Sequence, residues 1–302
     1  MAEGLSRRDF LKLLAGGVGT GMLYSCVGSK TLASLTETVT PKNIDTPPTR
    51  IETPPLASPT VEGWKIPTIK ERKSLLAIPE FFTKLQGKNT NRIITKQFDD
   101  TEYARLSERK VFRNNTCTQS TLTTIAKMCE YFNTGKVPSI TIADVYVALD
   151  GKNFTDVTGH EAEYIVWNDA MYFVGIPDAL KLFVPQFISK TEFLIPNYGT
   201  RHTRIVPQTH WQDALSKAQA VCEDGGFVII HCLKYGTGHT LLATDVKMDG
   251  IATIVDSYSE TVQREVLLKN YFEWWVDPEA EYLGKQPGLL NVIGVTLKPN
   301  VT

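Results

Sequence analysis

Asn114-Asn115-Thr116-Cys117-Thr118-Gln119-Ser120-Thr121-Leu122, running on to Phe132, is the stretch against which the rest of the chain is read. Leu122, Ile125, Ala126, Cys129 and Phe132 recur at helical spacing, which predicts a helix with one face packed into a core. Asn and Thr before that run suit N-cap positions and set Cys117 at or near the first turn. There the open backbone N–H groups and the positive end of the macrodipole favour thiolate, the nucleophilic form of cysteine. Most free cysteines are buried structural residues. The polar run ahead of Cys117, with a histidine and an aspartate downstream, favours a nucleophile instead. The candidate base is His239, in Gly236-Thr237-Gly238-His239-Thr240-Leu241-Leu242.

A chain of 302 residues holds one large domain or two small ones. Lys+Arg 32 against Asp+Glu 33 leaves no basic patch to argue for nucleic acid and no charged tail. The 42% hydrophobic and 10% aromatic content fits an ordinary globular core. Cysteines 26, 117, 129, 222 and 232 form no CxxC pair and no zinc-like spacing, so separate roles are expected rather than a disulfide framework.

Ser6-Arg7-Arg8-Asp9-Phe10-Leu11-Lys12 precedes an uncharged run, Leu13 to Val27, and matches a twin-arginine export signal. The run is short for a spanning helix, which needs ~20 residues. Its glycines follow no strand, so a phosphate-binding loop is set aside. Leu23-Tyr24-Ser25-Cys26 resembles a bacterial lipobox, with Tyr24 where a small residue is usual. It implies acylation at Cys26, with ordinary signal cleavage or an uncleaved anchor as alternatives. Residues 1–26 are thus read as a signal. Residues 27–64, rich in Thr, Ser and Pro and without apolar periodicity, are read as a disordered linker that tethers the folded part. The expected location is extracytoplasmic, held at the membrane through the N-terminal lipid or anchor, with the export machinery as a partner. Export in the folded state agrees with free thiols.

Across residues 65–302 the pattern predicts a short helix over Pro79 to Leu85 and a strand over Arg92 to Gln97. Helices are expected over Ile140 to Leu149, Ala162 to Phe173, and Asp178 to Phe183, with Ile188 to Asn197 open between strand and loop. A helix capped by Thr209 ends at Gly225-Gly226, buries Cys222, and leads into a central strand, Phe227 to Leu233. Strands follow at His239 to Val246 and Ile251 to Asp256, then a helix over Arg264 to Trp275 and a last strand from Leu289 to Leu297. Helices first and an antiparallel sheet after define an α+β fold.

Catalysis by a thiol needs an imidazole to take its proton and a partner to hold the ring. Asp245 lies roughly 20 Å along the strand from His239, too far to serve. Asp256 serves in one register. A tight Asp249-Gly250 hairpin sets it across from Ala243 and out of reach, whereas a wider loop over Val246 to Asp249 sets it opposite His239. Asp256 also suits a turn carboxylate bonding its own backbone in Asp256-Ser257-Tyr258-Ser259. His231, mid-strand among apolar residues, reads as a satisfied core histidine. A metal site from His231, Cys232 and His239 is poor geometry, since adjacent strand residues face opposite ways.

Asn115-Thr116-Cys117-Thr118-Gln119-Ser120-Thr121-Leu122, Gly238-His239-Thr240-Leu241-Leu242-Ala243-Thr244 and Val255-Asp256-Ser257-Tyr258-Ser259 resemble, in order, the three blocks of the peptidase C39-like group of papain-like cysteine peptidases. The resemblance implies a papain-like fold over residues 65–302, N-terminal helices packed on a C-terminal antiparallel sheet. It implies a peptide or protein substrate and no metal or cofactor. The family's nucleophile falls on Cys117, its base on His239 and its orienting acid on Asp256. Its upstream oxyanion glutamine best matches Gln97, with Asn114 and Gln119 as other donors. Thr118 and Gln119 stand where Gly-Pro is common. The alternative reading is an inactive module of the same fold that binds peptide or cell-wall material.

Overall fold

The computed structural model describes residues 60–83, 92–156, 159, 161–195, 211–234, 237–258, 261–268 and 288–299. The signal, Cys26 and most of the expected linker lie outside these residues. Helix α1 (Ile69–Leu76) starts at a capping box, in which the Thr68 hydroxyl accepts from Glu71 N and Glu71 returns a bond to Thr68 N. The short α2 (Pro79–Thr83) follows. Then come α3 (Cys117–Thr134), α4 (Ile142–Leu149), a small hairpin of β1 (Asn153–Thr155) and β2 (Glu161–Glu163), and α5 (Ile176–Phe183). After β3 (Ile188–Phe193) and α6 (Trp211–Glu223) the chain runs through β4 (Phe227–Lys234), β5 (Thr237–Thr244), β6 (Ile251–Asp256), β7 (Thr261–Leu267) and β8 (Gly288–Leu297).

Strands β3 to β8 form one antiparallel sheet in the order β3-β8-β4-β5-β6-β7, so the fold is α+β. Alternation along β4 separates two apolar layers. Phe227 and Ile229 pack in one cluster with Leu122, Ile125 and Met128 of α3. Val228, Ile230 and Cys232 pack in the other with Ala214, Ala218 and Val221 of α6.

Helix α3 departs from the one-sided burial that its apolar period predicts: every residue from Cys117 to Glu130 is buried. A polar helix face can be buried only if its groups find partners inside the protein. Here the hydroxyls of Ser120, Thr121, Thr123 and Thr124 donate back to the carbonyls of Thr116, Cys117, Gln119 and Ser120, at 2.8–3.0 Å. Lys127 meets Glu102 at 3.2 Å, and the other Glu102 oxygen accepts the N–H of Ile142 at the start of α4. The helix stops at Gly135, in the left-handed region, where a Cβ would meet the Trp64 ring at 2.5 Å. Trp64 Nε1 donates to Phe132 O, and Val61 N to Thr134 O, so packing on α3 already begins at Val61.

Three expected elements differ. Arg92 to Gln97 is no strand: Ile94 N donates to Phe82 O and Thr95 N to the Thr124 hydroxyl, so its donors serve helices rather than a ladder. Ala162 to Phe173 is no helix. Asn168 and Asp169, at φ 59 and 64, interrupt any helical run, and an isolated bridge joins Ile165 to Met171. The expected helix from Arg264 begins instead as β7, paired on β6 through Val255↔Val262 and Ala252↔Val266. Apolar residues on a bulged edge strand imitate a helical stripe over so few positions. The part of that expected helix beyond Leu268 lies outside the described residues.

The Lys127–Glu102 pair yields a stability prediction, because both side chains are nearly sealed (6% and 11% exposed). Lys127→Met leaves Glu102 buried without its cation and is expected to cost about 3–5 kcal/mol. Urea unfolding measures this. The double change with Glu102→Gln, which keeps an acceptor for Ile142 N, should recover much of that loss.

Candidate active site

Cys117 is the first residue of α3, as the sequence leads one to expect, but the cap differs. Thr116 occupies the N-cap position, and its hydroxyl makes no capping bond. It donates instead to Arg113 O (2.8 Å) and lies 2.7 Å from the Tyr103 hydroxyl oxygen. The N-cap side chain therefore does not cap the first-turn N–H groups beside the sulfur, where the positive end of the helix favours an anion.

The helix start is fastened to β5. Thr118 and Thr240 share a hydroxyl–hydroxyl hydrogen bond of 2.9 Å, and the Thr121 hydroxyl, which donates to Cys117 O at 2.9 Å, shares the same hydrogen with Thr240 O at 3.2 Å. His239, the residue before Thr240, has its ring hydrogen-bonded to the Cys117 sulfur. Its Nε2–H donates to Asp256 Oδ1 at 2.9 Å, which leaves Nδ1 as the ring nitrogen for the sulfur.

Asp256 reaches the ring by a register different from the wide-loop one required by the sequence reading. Leu242 pairs with Val255, Ala243 with Ile254, and Thr244 with Thr253. One further step sets Asp256 against Leu241, two residues from His239 on the same face. Such diagonal neighbours are roughly 7–8 Å apart, within reach of an imidazole and a carboxylate. The carboxylate also takes the turn role considered for it, since Oδ1 accepts from Tyr258 N at 3.0 Å. Both bonds fix the same oxygen.

All three groups are enclosed, with Cys117 2%, His239 5% and Asp256 1% exposed. Cys117 nevertheless belongs to neither apolar cluster. Burial by itself pushes the His239 imidazolium towards losing its proton. The Asp256 carboxylate and then the Cys117 sulfur outweigh it and raise the ring to about 9. Cys129 and Cys222, in apolar packing, are pushed up to about 12 by burial and remain neutral thiols. The Tyr258 ring stands edge-on to His239 (5.9 Å), and Phe98 packs edge-on against Tyr258 (5.0 Å).

Of the three oxyanion candidates, Gln97 lies nearest the acid strand. It is fully buried, its N–H donates to Ser257 O, and its carbonyl accepts from the Tyr103 hydroxyl. One amide hydrogen is taken by Arg113 O at 2.6 Å, and an amide carries two. Gln119 is turned away, its Nε2 donating to Asp169 O at 2.6 Å. Asn114 is exposed on the 3-10 turn Arg113–Asn115. His231 is buried in β4, its Nδ1 bonded to the Thr240 hydroxyl (3.2 Å) and its ring stacked on Phe173 at 4.5 Å. Among the described residues no group of three or more His, Cys, Asp or Glu is arranged to hold a metal.

Asp169 is the residue that sequence reasoning missed. Its carboxylate accepts from Phe112 N (3.0 Å), Arg109 Nη2 (3.1 Å) and the Tyr146 hydroxyl (2.7 Å). The neighbouring Asn168 carbonyl accepts from Asn115 Nδ2 at 2.8 Å. Two successive residues with positive φ are costly for side chains other than glycine. These bonds hold them there and brace the approach to Cys117. A polar Asn-Asp pair in Trp167-Asn168-Asp169 was the available signal, since these residues tolerate the left-handed region best.

Comparison with protein-family models, with curated proteins and with solved structures gave no match.

A histidine raised in the folded state from 6.5 to about 9 stabilises the fold fully below its unfolded value. That contribution is lost as pH rises through about 9. Asp256→Asn removes the main cause of the rise and leaves burial to depress the ring. Wild type should therefore exceed this variant in unfolding free energy by more near pH 6 than near pH 10. Chemical denaturation at the two pH values checks the sign.

Proposed function

We propose that the folded part is a cysteine peptidase of papain-like architecture, and that the resemblance to the C39-like group reflects shared chemistry. The observation that carries this reading is one imidazole hydrogen-bonded on one side to Asp256 and on the other to a sulfur at an uncapped helix start. In the mechanism, His239 takes the Cys117 proton and Asp256 holds the resulting imidazolium in place. The thiolate attacks a substrate carbonyl, and the oxyanion is met by the Cys117 backbone N–H with the second amide hydrogen of Gln97. The imidazolium then protonates the leaving amine. Water, deprotonated by the same ring, hydrolyses the acyl-enzyme and restores the thiol.

Under this proposal the twin-arginine sequence exports the folded domain, and Cys26 or an uncleaved anchor tethers it outside the cytoplasm. Among the described residues no helix is long and apolar enough to cross a membrane. The second reading, a binding module that does not turn over, is favoured by one observation, the 2% exposure of Cys117.

A peptide carrying a thiol-directed electrophile separates the two. Peptidase chemistry predicts selective labelling of Cys117, reduced by about 100-fold or more in His239→Ala. Labelling of Cys117 no faster than that of the other thiols, or unchanged in His239→Ala, removes the peptidase reading. The labelling rate should also fall on the alkaline side near about 9, where the imidazolium loses its proton.

A further inference from the structure

At the far end of α3 from Cys117, the residues Arg72, Cys129, Phe132, Phe187 and Leu297 line a cavity of about 160 Å³. Arg72 is 4% exposed, and Nη1 donates to Lys298 O at 2.9 Å. Its Nε and Nη2 have no acceptor among the described residues. A guanidinium stays charged, and a buried charge without a counter-charge costs several kcal/mol. Among the described residues, the titratable group whose field acts on it is the Cys129 thiol, which burial keeps neutral at ordinary pH.

We propose that this cavity binds a small organic carboxylate with an apolar body, its carboxylate seated on Arg72. Nε and Nη2 are the adjacent donors of one guanidinium edge, the edge that takes a carboxylate in two parallel hydrogen bonds. Nη1 is tethered to Lys298 O, and the Nε/Nη2 edge of this cavity-lining guanidinium has no acceptor among the described residues. Phe132, Phe187 and Leu297 offer apolar walls for the rest of the molecule. A dry apolar cavity of roughly 150 Å³ accommodates benzene, which sets the size at benzoate or a short-chain fatty acid. The site is independent of the peptidase reading, because none of its residues belongs to the Cys117 constellation.

The test is calorimetry and ligand-observed NMR on the full chain, with benzoate and hexanoate as probes against benzamide, hexanamide and inorganic phosphate. Saturable binding of a carboxylate, at least about ten-fold tighter than its amide, supports the site. That binding should be lost in Arg72→Met. Leu297→Phe, which narrows the cavity and keeps the guanidinium, should weaken it too, and decides the matter if Arg72→Met does not fold. Four results would each overturn the proposal: no saturable carboxylate binding, equal binding of acid and amide, binding of phosphate alone, or undiminished binding in the folded variants.

Discussion

Thr118 and Thr240 meet through their hydroxyls at 2.9 Å, and Thr121 adds a bond to the Thr240 carbonyl. Those contacts hold the first turn of a helix against the strand that carries the imidazole. Neither hydroxyl is free to face water, so separating the two elements would strand buried polar groups on both sides. The relation between sulfur and ring is therefore set by packing that belongs to the fold, before any substrate is present. Polar residues fill the helix start, and they make this attachment.

Around that joint the electrostatics are consistent. A buried imidazole beside a buried carboxylate is costly unless each satisfies the other, and Asp256 does so while also accepting from Tyr258 N. The helix start faces the sulfur without a side-chain cap. Asp169 draws Arg109, Tyr146 and the Phe112 backbone together behind the approach to Cys117. That network compensates the positive φ of Asn168 and Asp169. Strain of this kind is retained where the surrounding structure over-determines it.

The helix carrying Cys117 was legible from its helical apolar period, the central strand with His231 from an unbroken β-type apolar run, and strands β5, β6 and β8 from short apolar runs. Leu122, Ile125, Ala126, Cys129 and Phe132 indicate a buried stripe, but nothing in their spacing shows that Thr123 and Thr124 are buried on the other side. Their hydroxyls bond carbonyls one turn back, which sequence polarity alone does not disclose. His239 and Asp256 were legible as a pair on one face. The diagonal register was not, because it depends on a hairpin that includes Asp245 at positive φ as well as Gly250. Arg92 to Gln97 and Ala162 to Phe173 were misread for a related reason. The backbone donors of Ile94, Thr95 and Gln97 go to distant segments, those of Val166 and Tyr172 to Ala170 O and Tyr164 O within their own stretch, and short apolar runs do not distinguish strand from helix or from buried loop.

The central claim is that sulfur, imidazole and carboxylate act as one electrostatic unit. Histidine-selective ring NMR across pH measures it most directly. The account predicts a His239 midpoint near about 9 that moves down in both Cys117→Ser and Asp256→Asn. A midpoint near the ordinary 6.5, unmoved by Cys117→Ser, would contradict it.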